Sequence, residues 1–198
     1  RYSVVRALRA IERADIALLV IDATEPLTAQ DTHIAGYIQQ MTKGIVLVVN
    51  KWDLIKEQNI PEWDKSLKSL LKFMPYAPIL YTSAITGEGV DKLMPQAHKV
   101  YQERLKRLPT AAVNTIVRKA AAAHSVTRKG GKQLKILYAT QPEVNPPTFV
   151  FFVNDAKLVH FSYQRYLENR LRESFGFDGT PLRLIFKSRS EDDNNHNS

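Results

Sequence analysis

Residues 44–54 read Gly44-Ile45-Val46-Leu47-Val48-Val49-Asn50-Lys51-Trp52-Asp53-Leu54, five apolar residues in a row followed by four of quite different character. A run so short, with no polar and apolar alternation, fits a strand buried on both faces of a parallel sheet. Two further runs share the pattern, IALLVID (16–22) and APILYTS (77–83). Helical segments follow each. The first covers Leu27 to Gln40, and the second, Pro61 to Lys72, opens on proline where helices tolerate it best. The third runs from Val90 to Leu105 and aligns Val90, Leu93, Ala97, Val100, Tyr101 and Leu105 on one face. Pro95 lies inside it and should distort its first turns. Alternating strand and helix predicts a doubly wound α/β layer.

In such sheets ligands bind beyond the carboxyl ends of the strands, where Asn50 to Asp53 must lie. A carboxylate at Asp53 can accept two parallel hydrogen bonds, and guanine offers the matching pair of donors while adenine does not. Lys51 would lay its methylene stem over the base, and Asn50 would tie this loop to a neighbouring one. That neighbour is TSAITGEGV (82–90), which also follows a strand. There Ser83 and Ala84 are small enough for the Ala84 N–H to approach the guanine oxygen, and Gly87 and Gly89 ease the turn into the next helix. The candidate guanine-binding set is therefore Asn50, Lys51, Trp52, Asp53, Ser83 and Ala84.

Composition narrows the setting. The 198 residues contain no cysteine, which excludes disulfides and thiolate metal sites and predicts a cytoplasmic protein. No apolar run approaches the roughly 20 residues of a membrane span. His33, His98, His124, His160 and His196 form no ligand spacing, so no metal site is expected. The chain begins at Arg1 within a helical pattern, and we expect it to be part of a longer protein. Of the net charge of +8, little belongs to residues 1–108, with 15 Lys/Arg against 12 Asp/Glu. Residues 109–190 hold 13 against 5, a balance that favours a polyanionic partner.

A second unit is predicted for residues 109–188 in the order α-β-β-α-β. Its first helix is capped by Thr110, and the basic loop TRKGGKQ (127–133) follows. LKILYAT (134–140) and PPTFVFFVN (146–154) read as strands. The next helix is capped by Ser162 and ends at Gly176, and TPLRLIFK (180–187) is the last strand. Residues 189–198 are expected to be a disordered tail. Arg128, Lys129, Lys132 and Lys135 are candidate contacts to RNA phosphates. Tyr163, Tyr166, Leu167 and Leu171 recur at helical spacing and are assigned to the core.

The NKWD and TSA loops resemble the fourth and fifth guanine motifs of translation-factor-related GTPases. With RYSVVRALRAIERADIALLVIDA, KILYATQ, PPTFVFFVND and FSYQRYLENRLRESFGFDGTPLRLIFK, the chain resembles the double-Era-like (Der or EngA) GTPase family over residues 1 to about 187. The matched region runs from the helix after switch II of that family's second G domain to its KH-like carboxyl-terminal domain. The resemblance implies a partial P-loop GTPase domain at 1–108, a KH-like domain at 109–188, binding and hydrolysis of GTP, and a role in assembling the large ribosomal subunit on its rRNA. It also implies Mg²⁺ and K⁺ as cofactors beside GTP/GDP, and upstream G-domain residues pairing with the strand at Ile16 to Asp22. No G-x-x-x-x-G-K-[ST] and no D-x-x-G occurs, so no residue of this chain is assigned to catalysis, and the metal ligands are expected outside it. The glycine pair Gly130-Gly131 stands between a helix and a strand, unlike the RNA-gripping G-x-x-G of KH domains, which lies between helices. Two alternatives stay open: a fragment of an Era-type GTPase with a single G domain, and a non-enzymatic RNA-binding adaptor.

Overall fold

A computed structural model describes residues 2–124 and 133–189. The chain divides into two compact units, Arg1–Leu105 with Phe177–Pro181, and Lys106–Gly176 with Leu182–Ser198. The segment Phe177–Pro181, which the sequence reading placed in the second domain, thus belongs to the first unit. The expected tail falls almost wholly on residues 190–198, outside the described residues. No helix among the described residues is long and apolar enough to cross a membrane.

The first unit contains α1 (Tyr2–Arg13), β1 (Ile16–Asp22), α2 (Ala29–Gln40), β2 (Gly44–Asn50), α3 (Ile60–Leu70), β3 (Ile79–Tyr81) and α4 (Leu93–Leu105). The strands form a parallel sheet in the order β1-β2-β3, with Ile16 opposite Gly44 and Asp22 opposite Asn50. Alternate residues of β2 serve different layers. Ile45, Leu47 and Val49 join Leu19, Ile21, Ala35, Ile38, Leu67 and Leu71, so one face lies under α2 and α3. Val46 and Val48 pack on Val100 of α4 across the other face. Residues 45–49 are all at most 3% exposed, which explains the unbroken apolar run; each such side chain contributes about 1.5–3 kcal/mol of burial.

Local chemistry sets the helix boundaries. Thr28 and Asp31 form a reciprocal capping box, so α2 begins after Thr28 and not at Leu27. Asn59 caps α3 by accepting from the Glu62 N–H. Pro95 stands in the first turn of α4, where its missing N–H breaks no helical bond, and the chain before it winds as a 3-10 turn, Val90–Lys92. The Phe177–Pro181 segment is stitched in by its backbone: Gly179 N–H donates to the Tyr76 carbonyl and Gly179 C=O accepts from Ile45, both at 2.8 Å. Buried Arg104 completes the seam by donating to the Thr42 carbonyl and to Thr180 Oγ1. Its burial lowers the guanidinium pKa.

The second unit contains α5 (Thr110–Ala123), β4 (Ile136–Glu143), β5 (Thr148–Val153), α6 (Phe161–Phe175) and β6 (Arg183–Ser188). β4 and β5 are antiparallel, β5 and β6 parallel, in the order β4-β5-β6. The parallel pair requires a crossover, and α6 supplies it. Neither predicted cap forms: Thr110 is already helical after Pro109, and Ser162 lies inside a helix whose flanking residue, His160, makes no side-chain cap bond. Gly176, at φ 89°, ends α6. Tyr163, Leu167 and Leu171 are buried, while Tyr166 is half-buried and donates its hydroxyl to the Ala120 carbonyl. Asn114 of α5 takes both backbone groups of Ala139, accepting at 2.9 Å and donating at 2.8 Å, which closes that stretch of the β4 edge.

Candidate functional site

The carboxyl ends of the three parallel strands are laced together by the backbone. Ala23 N–H donates to the Asn50 carbonyl, Thr82 N–H to the Val49 carbonyl and Trp52 N–H to the Thr82 carbonyl, at 2.8–3.0 Å. Asn50 then joins the two loops through its side chain. Its Oδ1 accepts from the Ala84 N–H at 3.0 Å and from Thr82 Oγ1 at 3.3 Å. The tie expected from the sequence is therefore present in the geometry, and it engages the same Ala84 N–H that was read as a donor to the base.

Lys51 adopts a left-handed conformation (φ 62°), unusual for a residue with a side chain, and this turns the chain sharply at the strand end. Its ammonium pairs with Asp22, the last residue of β1. The sequence reading missed Asp22, although its position opposite Asn50 at the end of the neighbouring strand was the available signal. The Lys51 ammonium, aided by Thr24 hydrogen bonds of 2.6 and 2.9 Å, holds the Asp22 carboxyl down at about 2. The same pairing raises the pKa of Lys51.

Trp52 and Asp53 part company within one 3-10 turn, Trp52–Leu54. Trp52 is 2% exposed, edge-on to Trp63 at 5.4 Å and tilted on Tyr81 at 4.3 Å. Its indole anchors the loop from beneath, so Trp52 leaves the set of residues whose side chains can meet a base. Tyr81 is fixed in turn by donating to Asp64 Oδ1 at 2.7 Å, and burial with that carboxylate raises its pKa. Asp53 is exposed, and its carboxylate has no hydrogen bond or ion pair among the described residues. Both oxygens are available to a ligand.

Ser83 is fully buried and builds the second loop, accepting the Thr86 N–H on its hydroxyl while its own N–H donates to the Glu88 carbonyl. Ala84 is exposed at the loop surface. Gly89 sits at φ 68° with a Cβ direction that runs into the Tyr81 carbonyl oxygen, so this turn admits no side chain. Asn50, Lys51, Asp53 and Ala84 are thus gathered at one end of the sheet, with Ser83 and Trp52 as their supports. In the second unit Lys135 is exposed, its backbone N–H held by Asn154 Oδ1. Arg128, Lys129 and Lys132 lie outside the described residues.

A free carboxylate beside a sharply turned Lys51 suits a guanine's paired donors. Among the described residues no cluster of three or more His, Cys, Asp or Glu could hold a metal ion. Two family patterns match the chain. The elongation factor Tu GTP binding domain matches residues 4–103, and the KH-domain-like C-terminal domain of EngA bacterial GTPase enzymes matches residues 107–187. Over residues 4–103 the chain belongs to the elongation factor Tu GTP binding domain family, and its residues 107–187 carry the KH-like pattern of the EngA GTPases. GTPase Der of Chloroflexus aggregans is 50% identical over 192 residues, 96% of this chain and 43% of that protein. GTPase Der of Thermomicrobium roseum is 50% identical over 193 residues, 96% of this chain and 42% of that protein. The chain therefore spans less than half the length of these relatives. A crystal structure of Era with MgGDPNP and a segment of 16S ribosomal RNA matches with a TM-score of 0.42 and 23% identity, covering 96% of this chain and 70% of that one.

Proposed function

We propose that this chain supplies the guanine-selecting loops of a GTP-binding and GTP-hydrolysing protein, joined to a KH-like domain that contacts ribosomal RNA during assembly of the large subunit. The observation that carries the nucleotide reading is the exposed, unengaged Asp53 carboxylate, set on a loop that Trp52 anchors below and Asn50 ties to Ala84. In this reading Asp53 accepts from the two guanine donors, the stem of Lys51 covers one face of the base while Asp22 holds its ammonium, and Ala84 N–H turns from Asn50 to the base oxygen. A site built on such bonds rejects an analogue lacking the donors by about 10⁴–10⁵. Mg²⁺ and K⁺ would be held by residues beyond this chain, together with the phosphates.

The test is Asp53→Asn in a polypeptide that joins this chain to a phosphate loop. The amide offers a donor where the carboxylate offered an acceptor, so preference should move from GTP toward XTP. Unchanged selectivity between the two removes Asp53 from the base site. The RNA reading rests on the charge of residues 109–190 and predicts phosphate-dominated binding. Replacing Lys129 and Lys132 together should flatten the salt dependence of rRNA binding, and a salt-insensitive interaction refutes it.

A further inference from the structure

The sheet of the second unit carries two unlike faces. Phe149, Phe151 and Val153 of β5 are fully buried and share their face with Ala139 of β4 and Phe186 of β6, which stacks on Phe151 at 4.9 Å. Residues between them in sequence point the other way. At the end of that second face Tyr138 of β4 stacks on its cross-strand partner Phe152 at 4.3 Å and 16°. Lys187 of β6 stands directly opposite Phe152 on its other side. Arg189 follows with its guanidinium 5.7 Å from the Tyr138 ring centroid, donating to the Tyr138 hydroxyl at 3.2 Å.

Lys187 beside Phe152 and the Arg189 guanidinium on Tyr138 thus place two cations against the aromatic pair. Lys187 is exposed and has no ion pair among the described residues, and Phe152 is half-buried with Tyr138 as its ring partner. The single acidic residue of the three strands, Glu143, lies at the far end opposite Thr148. An aromatic pair with cations against it, on strands whose one carboxylate stands at the far end, matches a single-stranded nucleic acid, whose bases stack on rings while its phosphates meet the cations. An acidic peptide would use the cations but would gain little from the planar pair.

We propose that Tyr138, Phe152, Lys187 and Arg189 form a stacking platform for single-stranded RNA, built from other residues than the basic sequence 127–133. One base stacks on the Phe152 ring beside Lys187, and flanking phosphates meet Lys187 and Arg189. The inference rests on the reading of the second unit as an RNA-contacting domain and names the surface that takes unpaired strand.

The experiment measures binding of the 198-residue chain to a fluorescent oligouridylate and to a duplex RNA of equal length, with wild type, Phe152→Leu, Lys187→Gln with Arg189→Gln, and Lys129→Gln with Lys132→Gln. Phe152→Leu should weaken oligouridylate binding about tenfold and leave duplex binding unchanged. The Lys187/Arg189 double variant should reduce the magnitude of the single-strand salt slope by about 1.4. Ultraviolet crosslinking of wild type to oligouridylate should mark the peptide containing Phe152, a readout independent of how the variants fold. Oligouridylate binding that ignores Phe152→Leu and crosslinks elsewhere overturns the platform. If that binding is lost on changing Lys129 and Lys132, the RNA reading stands without the platform. Binding to neither RNA refutes both. Displacement of the oligouridylate by polyglutamate at equal affinity, insensitive to Phe152→Leu, assigns the face to an acidic protein and also overturns the proposal.

Discussion

Asn50 joins the two loops that follow β2 and β3, and its removal should separate them. Asn50→Ala deletes the oxygen that accepts from the Ala84 N–H and from Thr82 Oγ1. The two losses differ. Ala84 is exposed, so water can replace the bond to its N–H, whereas Thr82 is 2% exposed and its hydroxyl is left without that acceptor. A neutral hydrogen bond nets about 0.5–1.5 kcal/mol and an unsatisfied buried group costs about 1–3 kcal/mol; the long 3.3 Å contact lies toward the lower end, giving about 1–2 kcal/mol in all. Both tryptophans of the chain, Trp52 and Trp63, lie in the first unit, so their fluorescence in urea reports that unit alone. With a slope of about 2 kcal/mol per molar, the midpoint should fall by about 0.5–1 M. Asn50→Asp keeps an acceptor oxygen for both donors and should restore most of the midpoint, while losing the amide donor available to a ligand. Amide exchange at Ala84 should accelerate in Asn50→Ala and remain slow in Asn50→Asp. An unshifted midpoint together with unchanged Ala84 exchange would refute the tie.

Three further outcomes follow from the same strand ends. Asp22 titrates at about 2, below the ordinary carboxylate value of about 3.9, so its pairing with Lys51 contributes stability above that ordinary value and loses it as pH falls through 2; a carbon-13 carboxyl titration centred near 4 would contradict this. Gly89→Ala should lower the thermal midpoint more than Gly87→Ala, because both residues have positive φ but only at Gly89 does a Cβ meet backbone, and the reverse order would refute the reading. Among the described residues β1 has a bonded neighbour on one side only, and its Leu18 and Val20 are 37% and 58% exposed, so the 198-residue chain should self-associate in sedimentation and Val20→Lys should suppress it. A monodisperse wild-type monomer would show that this edge is not adhesive.

The strands and helices were legible because their signals are periodic and local. The run Ile45 to Val49 fits a strand covered on both sides, and the structure covers it with α2 and α3 on one face and α4 on the other. The caps were less legible, since an N-cap is decided by one side-chain bond: Thr28 wins over Leu27 through its pairing with Asp31, and Ser162 loses because the helix begins before it. The direction of Trp52 was not legible because a motif gives the order of residues but not where they point; a 3-10 turn points neighbours to opposite sides, one into the core and one to solvent. The assignment of Phe177–Pro181 to the first unit was invisible for another reason. Its bonds run through the backbone of Gly179 to Tyr76 and Ile45, more than a hundred residues away, and backbone groups leave no residue-type signature.

The base loops are organised in this chain by contacts that owe nothing to phosphates: Asn50 to Ala84, Lys51 to Asp22, and Trp52 to Trp63 and Tyr81. Selectivity and affinity should therefore separate. In the proposed reading, selectivity for guanine comes from two donors meeting Asp53, and the loop can present that carboxylate as it stands. Affinity needs the charged half of the nucleotide, and the chain offers it neither a phosphate-cradling glycine loop with its lysine nor, among the described residues, a metal-binding cluster. Two hydrogen bonds to a carboxylate contribute about 1.5–3 kcal/mol each before the cost of holding the ligand is subtracted. We expect the 198-residue chain to bind GTP and GDP equally, at millimolar-scale affinity or about −4 kcal/mol, and to lose even that on Asp53→Ala. Titration calorimetry tests the claim. A micromolar dissociation constant, or a clear preference for GTP over GDP, would mean that residues of this chain hold phosphate in a way the strand-end geometry does not provide.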